Sequence, residues 1–456
     1  MQFFIDSMNA TVSVPAGPER NMMRNNIMEE MFKIAPQSHM TVASSQDIGS
    51  ILANVCIVYT RQDAIPTDLI PALVSWCANA SEYTAHQAKI LVTSLIAGKR
   101  VDANKVLDAA LLQVQQNMSE DAYMGVLFGQ AVGDAVGLPV EGHGRSVCVP
   151  YVNDVVTKEI VSPQHRHNFT FGQYSDDTQL TREMYLTLLQ GRGNIDPTTY
   201  GLRIAMLFQP GAYRVVGYGE QTARAAEALR NGAHYTESGC AKGQGNGSVM
   251  RSSCLGVLLA GKSKQEIIEV TRTMSGITHA SPAALDGSVA IALAANYAVA
   301  TRGFPFVASH FIEYVATGVS PDFAVYVREL EQLAKNDYQT AAARIIEIGV
   351  SNKERQWGDG ISVGARQTAL WALWCFIVSP DSYVDCIANA IIVGGDVDTT
   401  AATVGGIIGG RVGAAAIPAV WKMPLHDYGE WNYEQLIAMG TKTFAYVKDN
   451  NVTVSR

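Results

Sequence analysis

The chain has 456 residues, of which 48% are hydrophobic and 17% are charged. This length exceeds that of one ordinary core, so we expect one large domain with an appendage, or two to three domains. The composition excludes a mostly disordered chain, and the net charge of −8 gives no reason to expect a nucleic-acid or anionic-membrane partner.

The first 118 residues are predicted to form an N-terminal extension. Its opening, MQFFIDSMNA, has neither the basic start nor the length of a signal sequence. No window of about 18 residues is free of polar breaks, so we expect no membrane span. Residues 1–60 look irregular, whereas 65–118 show helical spacing, with Asp102 starting the last helix. The seven cysteines lack CxxC spacing, which is typical of reduced thiols in a cytoplasmic protein.

Residues 119–446 are predicted to form one all-α domain, followed by a C-terminal tail at 447–456. Ser119 is expected to cap the first helix. Helical segments alternate with glycine-rich or acidic loops, and strand-like alternation is sparse, which favours an all-α fold. Examples of the predicted helical segments are 121–137, 178–190, 216–231, 247–261, 265–275, 281–301, 322–335, 338–348, 363–378, 383–392 and 398–411.

The first stretch of interest is GQAVGDAVGLPVEG, at 129–142. Gly129, Gly133 and Gly137 fall four apart and leave one face of a helix without side chains. That spacing indicates a close contact between two helices. Glu141 follows after a proline-containing turn and adds a candidate functional carboxylate.

The second stretch, YSDDTQLTREM at 174–184, puts four oxygen-bearing side chains before an apolar helix. They are Ser175, Asp176, Asp177 and Thr178. An N-cap with acids in the first helical turn accounts for the pattern by itself. A cap needs only one such residue, however, and four of them can also hold a hard cation.

Two further carboxylates lie in the apolar stretch GGDVDTTAATVGGIIGG, at 394–410. Asp396 and Asp398 are two residues apart, so they cannot share a face within a regular helix. They can converge on a turn that enters the helix, which the two preceding glycines permit, and Thr399 adds a hydroxyl. Capping explains this stretch less well, because the second carboxylate would still need a partner in apolar surroundings.

These two acidic stretches carry the same chemistry although about 220 residues separate them. Oxygen ligands without His or Cys favour Mg²⁺ or Mn²⁺ over Zn²⁺. Four carboxylates that face one another repel, and two divalent cations would neutralise them. The sequence therefore predicts a two-metal site, which can hold vicinal hydroxyls and polarise a leaving group.

A glycine-rich segment, GQGNGSVMRSSCLGVLLAG at 243–261, is predicted to open directly into an apolar helix. Backbone N–H groups at such a helix start favour phosphate oxygens. The glycines at 243, 245 and 247 let the backbone approach a ligand, and Asn246 and Ser248 add side-chain hydrogen bonds. The segment therefore indicates a substrate that carries phosphate.

The motifs GDAVGLPVE, SDDT, GNGSVMR, ITHASPAAL and GGDVDTT, in this order over about 120–425, resemble those of the ADP-ribosylglycohydrolases, the family of the dinitrogenase-reductase-activating glycohydrolase. The resemblance implies a compact fold of orthogonal helices that holds two Mg²⁺ or Mn²⁺ ions and removes ADP-ribose from modified protein side chains, typically arginine. The metal ligands that it implies are Ser175, Asp176, Asp177, Asp396, Asp398 and Thr399. Ser175 stands where many members have Thr, and both supply one oxygen, so activity is expected to survive.

The resemblance also implies the other site residues. Glu141 matches an acidic residue near the metals, and Asp177 or Glu141 would handle the proton of the attacking water or the leaving group. The diphosphate loop would consist of Gly245, Asn246, Gly247 and Ser248. His279 matches a histidine near the distal part of ADP-ribose, although a lone His in an apolar segment is often structural. Gly360 lies in WGDGISVGAR (357–366), which resembles a late substrate loop of the family.

The N-terminal extension lies outside this resemblance. Some bacterial members of the family resemble this layout and act as immunity proteins against ADP-ribosylating toxins. By that resemblance, residues 1–60 would block the toxin's active site, and the alternative is a role in packing or oligomerisation. The linkage that is cleaved, and the choice between Mg²⁺ and Mn²⁺, stay open at this point.

Two other functional classes compete with hydrolysis. The first is a non-catalytic protein that binds ADP-ribose or has a structural role on the same fold, and it is disfavoured because no candidate metal carboxylate is missing. The second is a dinucleotide oxidoreductase that uses GQGNGS. It is disfavoured because a Rossmann fingerprint needs a preceding apolar strand, and NGAHYTESGCAK precedes this one.

Overall fold

The computed structural model describes residues 102–162, 169–209, 215–349 and 360–455, together with isolated residues between 70 and 96. The predictions made for residues 1–60 lie outside the described residues. By its contacts the chain divides into two compact units. One comprises Met1–Met118 and Gly303–Val307, and the other comprises Ser119–Arg302 and Ala308–Arg456.

In the smaller unit, two described helices form the C-terminal end of the predicted N-terminal extension. Helix α1 (Ala103–Leu112) begins after Asp102, whose side chain accepts a hydrogen bond from the backbone N–H of Asn104 at 2.9 Å. The predicted start at Asp102 is therefore confirmed, since an aspartate in this position satisfies a donor that the first helical turn leaves without a partner. Helix α2 (Val114–Asn117) follows.

The regular secondary structure described in the larger unit is almost all helix, with two strands of two residues each, which confirms the all-α prediction. Its helices are α3 (Glu120–Gly137), α4 (Arg145–Tyr151), α5 (Asp176–Gln190), α6 (Pro197–Leu207), α7 (Glu220–Arg230), α8 (Ser253–Leu258), α9 (Lys264–Gly276), α10 (Pro282–Ala300), α11 (Ala308–Ala316), α12 (Pro321–Leu333), α13 (Tyr338–Ile348), α14 (Ala365–Val378), α15 (Tyr383–Ile392), α16 (Val397–Val412), α17 (Ala419–Lys422) and α18 (Tyr433–Lys448). Ser119 caps α3 as predicted, because its Oγ accepts from Ala122 N at 3.1 Å.

The two described strands are short and lie far apart in the chain. Strand β1 (Asn194–Ile195) pairs in parallel with β2 (Thr453–Val454), and Asn194 stands opposite Thr453. The segment 447–456, predicted as a tail, thus contains the end of α18 and a strand that pairs with the body of the larger unit.

Two predicted helices begin several residues later than expected. The helix predicted over 216–231 begins at Glu220. The helix predicted over 247–261 is wrong in its first part: residues 247–251 form turns, and the helical segment α8 starts only at Ser253. The backbone N–H groups of Val249 and Met250 both donate to the carbonyl of Asn246. Buried apolar residues in consecutive turns give the same sequence pattern as a buried helix.

The longest described helix is a core element. By length and composition, α10 could cross a membrane, but 89% of its apolar window is buried inside the protein. Next to it, α14 contributes Trp371 and Trp374, whose rings stack at 4.7 Å. Burial of this kind is typical of a core helix in a large helical domain.

The glycines of α3 pack directly on the backbone of α16. A Cβ atom at Gly129 would lie 2.1 Å from the carbonyl oxygen of Gly405, and one at Gly133 would lie 2.1 Å from that of Ala401. At the end of α3, a Cβ at Gly137 would lie 2.5 Å from the Cα of Asp398. The predicted close contact between two helices is therefore confirmed, and it brings the start of α16 against the end of α3.

Because α3 and α16 are in backbone contact, adding one methyl group at this contact is predicted to reduce the stability of the protein strongly. We expect Gly133→Ala to lower the free energy of unfolding by about 2–3 kcal/mol, because backbone faces backbone there and neither helix can yield cheaply. The opposing gain in helix propensity is about 1 kcal/mol. Denaturant unfolding followed by circular dichroism measures the difference.

A matched control exists in α9. Gly276 is also helical, and among the described residues the nearest atom to its added Cβ, outside its own helix backbone and chain neighbours, is Leu285 Cδ2 at 4.0 Å. Gly276→Ala is expected to leave the free energy of unfolding unchanged or slightly raised. Equal stability of the two variants would contradict the close contact between α3 and α16.

Candidate metal and substrate site

The first acidic stretch forms the start of α5. Ser175 occupies the N-cap position, where its Oγ accepts from Asp177 N at 3.3 Å and donates to Asp177 Oδ2 at 2.9 Å. Asp176 follows in the first turn, and its backbone N–H donates to Val216 O at 2.8 Å. Ser175 supplies the cap from within the chain segment of α5, so the carboxylates of Asp176 and Asp177 are not needed for capping. In the described part of the chain, the buried Oδ1 of Asp177 has no hydrogen-bond partner.

The second acidic stretch forms the start of α16. Gly394 and Gly395 have φ values of +80° and +92°, which only glycine adopts readily, and they turn the chain into the helix. Asp396 holds the N-cap position, but its side chain makes no capping hydrogen bond within the described structure. The Oδ1 atom of Asp398, in the first turn, is buried and has no partner among the described residues.

Backbone hydrogen bonds bring Glu141 to this turn. Gly142 N donates to Gly395 O, and Gly395 N donates to His143 O, both at 2.8 Å. The loop after α3 therefore pairs with the loop before α16. Glu141 is half-buried, whereas Asp398 is buried, so Glu141 lies at the more open side of the cluster.

Sequence analysis missed Asp134, which lies within α3 and is fully buried. Its carboxylate accepts hydrogen bonds from the backbone of Ser175 and from Thr178, and it lies against Asp177. The sequence did contain a signal for Asp134, because it is a charged residue within an otherwise apolar, glycine-rich helix pattern. Its role depends on a contact with α5 that the local sequence does not reveal.

Together these elements form two groups of carboxylates. One carboxylate oxygen each of Asp134, Asp177 and Asp398 lie within 4.8 Å of one another, and the same holds for one oxygen each of Glu141, Asp396 and Asp398. Asp398 belongs to both groups. The two acidic stretches, predicted to meet from opposite ends of the domain, therefore lie side by side.

The other predicted ligands occupy the same two turns. Thr399 Oγ1 lies 3.4 Å from Asp177 Oδ2. Burial raises the pKa of Asp176 well above its usual range, and the next contributions come from Asp134, Glu141 and Asp396. Asp176 therefore faces the same cluster, although it belongs to neither group of three.

Burial and the neighbouring carboxylates outweigh Arg251, which lowers the pKa of Asp176. Burial, followed by neighbouring carboxylates, raises the pKa of Asp177 and of Asp398 well above their usual range. Burial raises the pKa of Asp134 to about 6, although its hydrogen bonds with Thr178 and Ser175 lower it. Oxygen ligands, accumulated negative charge and two buried carboxylate oxygens without partners fit hard divalent cations.

The glycine-rich loop is tied to this cluster through Asn246. The Nδ2 of Asn246 donates to Asp396 Oδ2 at 2.6 Å and to Thr368 Oγ1 at 2.9 Å. The donors of this side chain are therefore used to hold Asp396. Ser248 is fully buried, and its Oγ accepts from Ser288 Oγ at 3.0 Å, so its hydroxyl faces the interior.

The histidine predicted near the substrate lies against the same loop. A Cβ at Gly247 would lie 2.7 Å from His279 Cε1, and a Cβ at Gly245 would lie 3.4 Å from His279 Nε2. Thr278 Oγ1 accepts from Arg251 Nη2 at 2.6 Å and lies 2.7 Å from His279 Nδ1. Thr278 thus holds the Nδ1 side of the ring, and Nε2 lies on the side of the loop.

Burial, and then the positive charge of Arg251, lower the pKa of His279 to about 3. The imidazole is therefore neutral at physiological pH and acts as a hydrogen-bonding group without charge.

The late glycine predicted to bind substrate packs against the turn before α16. A Cβ at Gly360 would lie 2.2 Å from the carbonyl carbon of Gly394. The next residue, Ile361, donates from its N–H to Gly394 O at 3.0 Å and accepts from Asp396 N at 2.9 Å. The structure thus places Gly360 beside the turn that presents Asp396.

A family model described as ADP-ribosylglycohydrolase matches residues 115–450. The chain is 26% identical over 337 residues to the Escherichia coli K12 protein called uncharacterized protein YegU, covering 70% of this chain and 96% of that protein. It is 26% identical to ADP-ribosylhydrolase ARH3 of Xenopus tropicalis (67% and 91% covered). It is 24% identical to ADP-ribosylarginine hydrolase Tri1 of Serratia proteamaculans (68% and 76% covered).

A solved structure titled ADP-ribosylglycohydrolase-related protein complex has the same fold. It superposes with a TM-score of 0.53 at 22% sequence identity, and the match covers 72% of this chain and 98% of that one.

Proposed function

The chain belongs to the ADP-ribosylglycohydrolase family and is a hydrolase, and from that membership we propose that its substrate is ADP-ribose linked to an arginine side chain of a protein. Removal of ADP-ribose agrees with the names of its ARH3 and Tri1 relatives. The choice of arginine rests on the Tri1 relative, which is named an ADP-ribosylarginine hydrolase.

The observation that supports a metal-dependent reaction is the pair of carboxylate groups that share Asp398. We assign two Mg²⁺ or Mn²⁺ ions to this site. The ligands in this proposal are Ser175, Asp176, Asp177, Asp396, Asp398 and Thr399. A bound divalent cation supplies Lewis-acid polarisation and a grip on the ribose hydroxyls.

The chain's own carboxylates supply the proton transfers. Glu141 is half-buried at the open side of the cluster, which suits a base that takes a proton from an attacking water. Asp177 is the alternative, because its carboxylate lies in the same buried cluster, close to those of Asp134 and Asp398. Cleavage of a glycosidic bond through an oxocarbenium-like transition state needs such a group.

The glycine-rich loop is proposed to bind the diphosphate of ADP-ribose. Gly245 and Gly247 carry no side chain that would keep a ligand from their backbone N–H groups. The Nε2 side of His279 faces these glycines, which supports a hydrogen bond from the neutral imidazole to the substrate. Ser248 would act mainly through its backbone, because its side chain is engaged inside the protein. Asn246 would act by holding Asp396, because its side chain donates to Asp396 and its backbone N–H donates to Val363 O at 2.9 Å.

The test of the proposed substrate compares two linkages. Purified full-length protein with Mg²⁺ is incubated with arginine-linked and with serine-linked ADP-ribosyl protein, and free ADP-ribose is quantified. We expect release from the arginine-linked substrate at least about tenfold faster, a difference of about 1.4 kcal/mol in transition-state stabilisation. Faster release from the serine-linked substrate would overturn the choice of arginine and leave the hydrolase assignment intact.

The N-terminal residues 1–118 and the tail at 447–456 flank the proposed catalytic domain, 119–446. For residues 1–60 we propose a contact with an ADP-ribosyltransferase toxin, which would make the protein an immunity factor. Undiminished protection from such a toxin after residues 1–60 are scrambled in the full chain would contradict this role. The described cysteines are free, which supports a cytoplasmic location.

A further inference from the structure

Asp134 differs from the other carboxylates of the cluster in its hydrogen bonds. Ser175 N donates to both of its oxygens, at 3.0 Å and 3.1 Å. Thr178 donates to Oδ2 twice, from its backbone N at 3.1 Å and from its Oγ1 at 2.6 Å. Asp134 therefore binds the start of α5 from a different helix, as an N-cap side chain binds the start of its own.

A carboxylate offers about four lone-pair directions. Donors from α5 give Oδ2 of Asp134 three hydrogen bonds and Oδ1 one. By contrast, the Oδ1 atoms of Asp177 and Asp398 are buried without a partner in the described part of the protein. The buried carboxylate oxygens without a hydrogen bond are therefore on α5 and α16, whereas both oxygens of Asp134 accept hydrogen bonds from the start of α5.

Helix α3 also fixes the other acidic turn. Gly137 lies three residues after Asp134 and packs against the backbone of Asp398, where an added Cβ would come within 2.5 Å of its Cα. One helix thus determines the positions of both Asp177 and Asp398. Small misplacements of such groups reduce activity strongly, because the reacting geometry tolerates little error.

We propose that Asp134 is a positioning residue that locks the first turn of α5 against α3 and does not itself bind a cation. This inference rests on the proposed function, in which Asp177 and Asp398 are ligands. It predicts opposite effects of charge removal in metal-free protein. Asp398→Asn removes repulsion without breaking a hydrogen bond, whereas Asp134→Asn turns an acceptor that faces N–H donors into a donor.

The test compares full-length Asp134→Asn and Asp398→Asn with the wild-type protein in excess chelator, by calorimetry. We expect the apparent Tm to fall by about 3 °C or more for Asp134→Asn and to stay level or rise for Asp398→Asn. Because no metal is present, this comparison decides the inference even if the proposed metal centre fails. A Tm that rises equally in both variants would overturn it.

Mn²⁺ titration followed by electron paramagnetic resonance gives a second readout. Asp134→Asn should keep the wild-type number of bound ions with affinity weakened by about 10–100-fold, as for residues that orient metal ligands. Asp398→Asn should lose at least one ion. Loss of an ion in Asp134→Asn would show that Asp134 is itself a ligand, and absence of Mn²⁺ binding in the wild type would refute the metal centre.

A milder variant covers the case in which Asp134→Asn does not fold. Thr178→Val removes one hydrogen bond to Asp134 and keeps both backbone donors and the β-branched shape. It should weaken Mn²⁺ binding severalfold at unchanged stoichiometry, and unchanged affinity would contradict the positioning role.

Discussion

The Asp398→Asn variant is expected to hydrolyse ADP-ribosylated protein at least about 10³-fold more slowly than the wild type, since preorganised electrostatic groups each contribute about 10²–10³-fold. Asp398 belongs to both groups of carboxylates, so its loss affects both candidate cation positions. Free ADP-ribose released from a modified substrate protein measures the rate.

Asp385→Asn is the matched control for this substitution. Asp385 also lies in the first turn of a helix, α15, but it is exposed and belongs to neither carboxylate group. We expect its rate to stay within about twofold of the wild type, because an exposed charge at a helix start contributes only about 0.3–1 kcal/mol to stability. Comparable activity of Asp398→Asn and Asp385→Asn would contradict a shared catalytic role for Asp398.

The close approach of the two acidic stretches could be predicted from the sequence. Both carry carboxylates and hydroxyls beside apolar segments, and buried carboxylates need a counter-charge, which one pair of cations can supply to both. The close contact of α3 was also accessible, since glycines four residues apart leave a bare helix face. Asp134 was not predicted, because two of its three donors are backbone N–H groups, those of Ser175 and Thr178, and backbone donors leave no trace in a sequence pattern.

The glycine-rich loop illustrates a different limit. Asn246 and Ser248 look like free donors in the sequence, but one holds Asp396 and the other pairs with Ser288. Whether a polar side chain faces a ligand or the interior depends on tertiary contacts. The helix predicted to begin at 247 failed for a related reason, since turns can bury Val249 and Met250 as fully as a helix does.

Some missed helices did have local signals. Helix α6 starts with Pro197 after Asp196, whose side chain accepts from Thr199 N at 2.7 Å. A proline in the first turn behind an aspartate cap is a recognised start pattern. Helix α18 begins at a capping box formed by Asn432 and Gln435, which the sequence also displays.

Removal of divalent metal is the second change expected to have a very large effect. Without cations, the buried carboxylates on α5 and α16 repel one another. The ions that are proposed to hold the ribose hydroxyls would also be missing. We expect hydrolysis to fall to background in chelator. Re-addition of metal at about 100 times its dissociation constant should also raise the free energy of unfolding by about 2.7 kcal/mol.

The shared cation site is tested most directly by titrating Mg²⁺ or Mn²⁺ into chelated, metal-free full-length protein while ADP-ribose release is recorded. We expect no release of ADP-ribose before metal is added. Both Mg²⁺ and Mn²⁺ should then restore activity in a saturable way. Full activity in protein verified to contain no divalent metal would contradict the site, and the buried carboxylates would then need another explanation.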